Sequence, residues 1–147
     1  MSQAIVSSVS ADEFAEVLRR PGYRATVVEQ QGRPQVQSAV QGIGFHAAFG
    51  NREQGSETRF VDLALQTVIA VQGEVPPGLV EGFNREMRFA RLFRQDGFLV
   101  LAMDLVLAGG VTDDHLCAQC ELWDRIIRDF LLRVRAGSGG QPAQEAS

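Results

Sequence analysis

From Phe98 to Leu107 the chain reads Phe-Leu-Val-Leu-Ala-Met-Asp-Leu-Val-Leu, apolar everywhere except Asp104. The run is far short of the roughly 18 residues of a membrane span, and it is bounded by Asp96-Gly97 before and Gly109-Gly110 after, so it reads as a strand. Leu99, Leu101, Met103, Leu105 and Leu107 make one wholly apolar face. Phe98, Val100, Ala102 and Val106 make a second, interrupted only by Asp104. Such a strand is expected to be central in a sheet and covered on both faces, at least in part.

The flanking sequence places its neighbours. Arg88 to Arg94 alternates in polarity, and Asp96-Gly97 is a strong hairpin signal. A two-residue loop sets Arg91 diagonal to Asp104, whereas a three-residue loop sets Arg88 directly opposite it; both registers give Asp104 an arginine. After Gly109-Gly110, Thr112 caps a helix and Val111 with Leu116 forms a staple. Leu116, Cys120, Trp123, Ile127, Phe130 and Val134 are its core stripe, with Cys117, Ile126 and Leu131 alongside. Glu121 to Arg125, Asp124 to Arg128 and Asp129 to Arg133 are acid-before-base pairs at i, i+4 and mark a solvated face. Residues 1–135 read as one domain, and 136–147, made of Gly, Ser, Gln and Pro, as a disordered tail.

The N-terminal half carries the same kinds of signal. Ser10 with Glu13 is a capping box, Val9 and Phe14 are staple partners, and Pro21-Gly22 stops the first helix. Tyr23 to Glu29 and Gln35 to Val40 read as a hairpin around Gln31 to Pro34. Arg59 to Val71 is a long strand, expected to bend or bulge near Gln66-Thr67, where the apolar phase shifts. Pro77 suits the first turn of a short helix that presents Leu79, Val80, Phe83 and Met87 on one side. Together these give an α+β fold, an antiparallel sheet of about five strands with three helices, in the order α-β-β-β-α-β-β-α.

Composition narrows the chemistry. The chain has 147 residues, 45% of them hydrophobic, and a formal charge of -4, which argues against a nucleic-acid surface. All 14 basic residues are Arg, so lysine nucleophiles, Schiff bases and the phosphate-loop lysine are absent. No membrane span and no secretory leader is read in Met1 to Ser8, giving a cytoplasmic expectation. Gly42, Gly44 and Ala47 spell G-x-G-x-x-A, but the stretch does not open a helix, and strand glycines with His46 as a half-exposed strand residue are the expectation. Asp113 and Asp114 beside Gly109-Gly110 would repel a phosphate. His115, Cys117 and Cys120 are three potential ligands where a structural zinc needs four, and Cys120 lies on the core stripe, so packing thiols are expected. No catalytic residue, cofactor or metal site is assigned.

The segments Phe83-Asn84-Arg85, Arg88-Phe89-Ala90, Asp96-Gly97, Met103-Asp104-Leu105 and Gly109-Gly110-Val111-Thr112, with the closing helix carrying Trp123 and Phe130, resemble the YbjN family of bacterial sensory transduction regulators. That resemblance implies the fold of type III secretion chaperones, commonly dimeric, and protein binding in place of catalysis. The expected function is a non-enzymatic, chaperone-like or regulatory module that acts as a homodimer on another protein, without direct contact to nucleic acid or membrane. A secretion chaperone for an effector is one alternative, and a thiol- or metal-dependent sensor using Cys117 and Cys120 is another. The expected interface residues are Leu79, Phe83, Phe89, Arg91, Phe93, Val100 and Asp104, because the helices are too few to cover both faces of the sheet.

Overall fold

The computed structural model describes residues 4–71, 73–138 and 144–145. A short strand, β1 (Ile5–Val6), precedes helix α1 (Ala11–Arg19). Four strands follow: β2 (Thr26–Gln30), β3 (Arg33–Val40), β4 (Ile43–Phe49) and β5 (Asp62–Ala70). Helix α2 (Leu79–Glu86) leads to β6 (Ala90–Gln95) and β7 (Phe98–Val106), and β8 (Val111–Thr112) leads to helix α3 (Asp113–Ser138) and β9 (Gln144–Glu145). The main antiparallel sheet has the order β2-β3-β4-β5-β7-β6, with β9 added on β5, while β1 and β8 pair separately.

The expected class and the order of the helices are observed, but the sheet gains a strand. Gln41 and Gly42, with φ of 57° and 75°, form a two-residue turn between Val40 and Ile43, which makes β4 an element of its own. Gln31-Gly32 and Asp96-Gly97 repeat this geometry, with positive φ at both turn residues, as the twist of a tight hairpin demands. The Asp96-Gly97 turn sets Gln95 opposite Phe98 and Arg91 opposite Ala102, so the two-residue register holds. No bulge interrupts β5: buried and half-buried positions alternate along its length, and Thr67 keeps the buried phase. Its hydroxyl is satisfied by donating to Gly44 O at 2.8 Å. Helix α2 begins at Leu79 behind Gly78 in the left-handed region, so Pro77 precedes the first turn and does not enter it.

All three helices lie on one side. Leu63, Leu65 and Ile69 from β5, the odd positions of β7, Phe45 and Phe49 from β4, and Val36 from β3 share one core with Phe14, Leu18, Phe83, Trp123 and Phe130. Aromatic edges lock the layers: Phe14 on Phe49 at 6.2 Å, Trp123 on Phe45 at 5.9 Å and Phe83 on Phe130 at 6.0 Å between centroids. The capping box of Ser10 and Glu13 is formed, and Thr112 Oγ1 accepts from the backbone of His115. Arg59 anchors the N-terminal segment by donating to Ser8 Oγ and Ser8 O, both at 2.9 Å, which satisfies a buried serine.

The last residues depart from the expected tail. Helix α3 continues to Ser138, and Gln144 and Glu145 pair with Ala70 and Ile69; the rest of the segment expected to be disordered lies outside the described residues. Among the described residues no helix is long and apolar enough to cross a membrane.

Candidate protein-binding face

Alternation along each strand sends one set of side chains to the helices and the other set to the opposite face. That opposite face is built from Gln35 and Gln37 of β3, Gly44, His46 and Ala48 of β4, Ala64, Gln66 and Val68 of β5, Val100, Ala102 and Asp104 of β7, and Arg91 and Phe93 of β6. No described helix packs on it. No described helix supplies the expected cover on the second face of β7: Val100 and Ala102 are buried, while Phe98, Asp104 and Val106 stay exposed.

Its relief follows from side-chain size. Gly44, Ala48, Ala64 and Ala102 form a low floor through the middle strands, and glutamines on one flank and Phe93 and Phe98 on the other stand above it. A hollow of about 830 Å³ opens over β3 and β4, bordered by Gln35, Gln37, Gly44, His46, Val68 and Phe98. Within the floor, His46 Nε2 lies 3.2 Å from Gln66 Oε1. Burial lowers the imidazole's pKa from its ordinary value, opposed in part by the Gln66 contact, so the ring is neutral at pH 7. Arg91 reaches diagonally to Asp104, with Nη1 to Oδ2 at 2.7 Å. Both partners are half exposed, so the pair orients two side chains more than it stabilises the fold.

Four of the residues expected at an interface, Arg91, Phe93, Val100 and Asp104, are gathered on this face. Leu79 and Phe83 lie elsewhere: α2 packs on the helix side, where Phe83 is fully buried under α3 with the Arg133 guanidinium 5.7 Å above its ring. Phe89 lies on neither surface of the sheet. It sits on the link between α2 and β6, exposed, with φ of 74°, an unusual backbone for a bulky residue. The amphipathic pattern of α2 is real, but its apolar side closes the core.

Sequence reading did not assign Asn84 a role. Its Nδ2 donates to Leu92 O and its Oδ1 accepts from Leu92 N, each at 2.8 Å. These are the outward backbone groups of an edge strand, so one amide side chain occupies the place where another strand would pair. The signal was present in the order of elements: an asparagine late in a short helix, followed at once by an edge strand.

The proposed thiol chemistry finds little support in the geometry. Cys120 is buried in the core and burial pushes its thiol up to about 12, with Cys117 and Glu121 adding to the shift. Cys117 is half buried. Among the described residues no three His, Cys, Asp or Glu side chains are grouped to hold a metal ion.

A search of the curated proteins finds no match. Among solved structures, the chain is similar to a crystal structure described as "YbjN, a putative transcription regulator from E. coli", with a TM-score of 0.67 and 12% identity, over 97% of this chain and 100% of that one. At this identity the likeness speaks for the fold. The family model described as "Putative bacterial sensory transduction regulator" matches residues 10–136, from the N-cap of α1 almost to the end of α3. The chain belongs to the YbjN family.

Proposed function

We propose that the chain is a non-enzymatic regulatory module of the cytoplasm that binds another protein, and that it does so as a homodimer through the open face of its sheet. The observation that carries this reading is the one-sidedness of the fold. Three helices serve one face, while Phe93, Phe98, Val68, Val100 and Val106 meet water or lie just beneath it on the other. Contiguous apolar surface of this kind is characteristic of interaction sites. The family's description as a regulator agrees with binding as the activity.

A closed twofold dimer would juxtapose two copies of the Phe93, Phe98 and Val106 region and leave the hollow over β3 and β4 accessible to the partner. Phe98→Glu and Val106→Glu test this, because both positions are exposed and tolerate a charge in the folded monomer. Sedimentation at tens of micromolar is expected to show a dimer for the native chain and a folded monomer for the double variant. A native chain that sediments as a monomer overturns the reading of the face as a self-association surface.

A further inference from the structure

One edge of β5 is paired with β7 along its whole length, from Asp62 opposite Val106 to Ala70 opposite Phe98. On the other edge the ladder to β4 runs only from Phe49 opposite Leu63 to His46 opposite Gln66, although β4 extends back to Ile43 and β5 on to Ala70. Continuing the register would place Phe45 opposite Thr67 and Gly44 opposite Val68. Instead the Thr67 hydroxyl spans to Gly44 O, and the strands part. The sheet forks in its middle. Two residues of the chain itself take up the edge this leaves on β5: Glu145 stands opposite Ile69 and Gln144 opposite Ala70, antiparallel.

Two features mark the fork as a place for another segment. The resident strand is only two residues long, and its sequence, Gln-Glu, is polar. Directly opposed residues share a face of the sheet, and Ile69 is in the core, so the register opposite Ile69 is a core-side position that suits an apolar residue. The second feature is polar. Among the described residues, the buried side-chain atoms without a hydrogen-bond partner are Ser38 Oγ and Trp123 Nε1. Trp123 packs against the ring of Phe45, the first β4 residue past the last β4–β5 pair, whereas Ser38 stands on β3, across β4 from the gap. Buried polar groups are satisfied in nearly all native structures, so the unpartnered indole nitrogen of Trp123 beside the gap points to a missing neighbour.

We propose that the fork between β4 and β5 accepts an extended peptide segment of a partner protein, which adds as a strand antiparallel to β5 and displaces the chain's own Gln144–Glu145. The proposal rests on the reading of this chain as a protein-binding module and names what it recognises: an unfolded stretch with an apolar residue opposite Ile69 and a small or polar residue opposite Ala70. Backbone bonds supply the common part of such recognition, and the side chains at alternate positions supply the selectivity. The residue opposite Ala70 lies on the open face, toward the hollow bordered by Val68 and Phe98. In the absence of a partner, β9 is a placeholder that keeps the edge of β5 from pairing with other chains.

The test uses the full chain and two labelled synthetic peptides: residues 139–147 of this sequence, and the same peptide carrying Glu145→Leu. A full-length variant, Gln144→Pro with Glu145→Pro, removes the backbone donors of the resident strand. Amide exchange across Val68–Val71 is expected to quicken in that variant and to slow again when peptide is added. The leucine peptide is expected to bind roughly tenfold tighter than the native one, and the native protein to bind both more weakly than the proline variant. Unchanged exchange in the variant, no binding of either peptide at millimolar concentration, or equal binding of the two peptides overturns the proposal. Sedimentation of the same samples separates the two readings: a dimer without peptide binding removes the fork alone, and peptide binding by a monomer removes the self-association of the open face.

Discussion

Asp124 shows how far a single side chain can depart from its sequence pattern. Its spacing to Arg128 marks a solvated face, and the two do approach, at 4.0 Å. Yet its carboxylate accepts from Tyr23 Oη at 3.1 Å and from Gln41 Nε2 at 2.7 Å, joining α3 to both ends of the β2–β3 hairpin. Burial, reinforced by the bond to Asp124, pushes the Tyr23 phenol up to about 12. Asp124→Ala is therefore expected to destabilise the fold by about 1–3 kcal/mol, read as a lower urea midpoint. Asp124→Ala as stable as the native chain would show the network to be ornamental. Helical periodicity could not reveal this, because it orders residues around their own axis and knows nothing of a hairpin arriving from 83 to 101 residues away.

His46 sets a second expectation at the same scale. Its folded pKa lies below the ordinary 6.5, so the unfolded chain binds the proton more readily. By linkage, the stability from its neutral ring is complete above about 6.5 and is lost as pH falls from there through the folded pKa. His46→Gln is expected to flatten the fall in stability between pH 7 and pH 5, measured by denaturant titration at each pH. An unaltered slope would assign it to other groups. The contact to Gln66 was not legible in the sequence, because it depends on which residues face each other across β4 and β5.

Among the elements, those with a strong local cause were the most legible. The Ser10–Glu13 capping box, the Thr112 cap, the Pro21-Gly22 stop and the Asp96-Gly97 turn act within a few residues, and each appears where the sequence puts it. The separate strand β4 was missed because Gln41-Gly42 is a weaker turn signal than Asn-Gly or Asp-Gly, although the backbone is the same. Thr67 misled for a different reason: a hydroxyl in the buried phase reads as a break in apolar alternation until Gly44 O is seen to satisfy it. Asn84 belongs to this scale too, since it decides how the outer edge of the sheet ends. Asn84→Ala leaves both outward groups of Leu92 without their partner, and is expected to cost about 1–3 kcal/mol and to raise light scattering at high concentration as the edge becomes available to other chains. A variant as stable and as monodisperse as the native chain would deny the clamp.

For the molecule as a whole, the order of the three helices and of five of the strands between them was legible because those boundaries have their own chemistry. Which residues would remain uncovered was only half legible: Arg91, Phe93, Val100 and Asp104 share the open face, whereas Leu79 and Phe83 close the core. The difference lies in the position of α2, on the same side as α1 and α3, which no pattern within its eight residues determines. If the open face is the self-association surface, stability is linked to concentration, and the melting temperature should rise by several degrees between about 1 and 100 micromolar. Constancy over that range would mean that the monomer is the folding unit.

The β5–β7 ladder also bears on the time course of folding. Its nine pairs join strands separated by α2 and the whole of β6, whereas β2–β3, β3–β4 and β6–β7 are each closed by two residues. The hairpins can form with little loop entropy to overcome, but the two halves of the sheet meet only after a long loop has closed. The long-range step is the docking of the β6–β7 hairpin onto β5, and it is expected to set the folding rate; the strand that receives it is β5, the same strand whose far edge is left open.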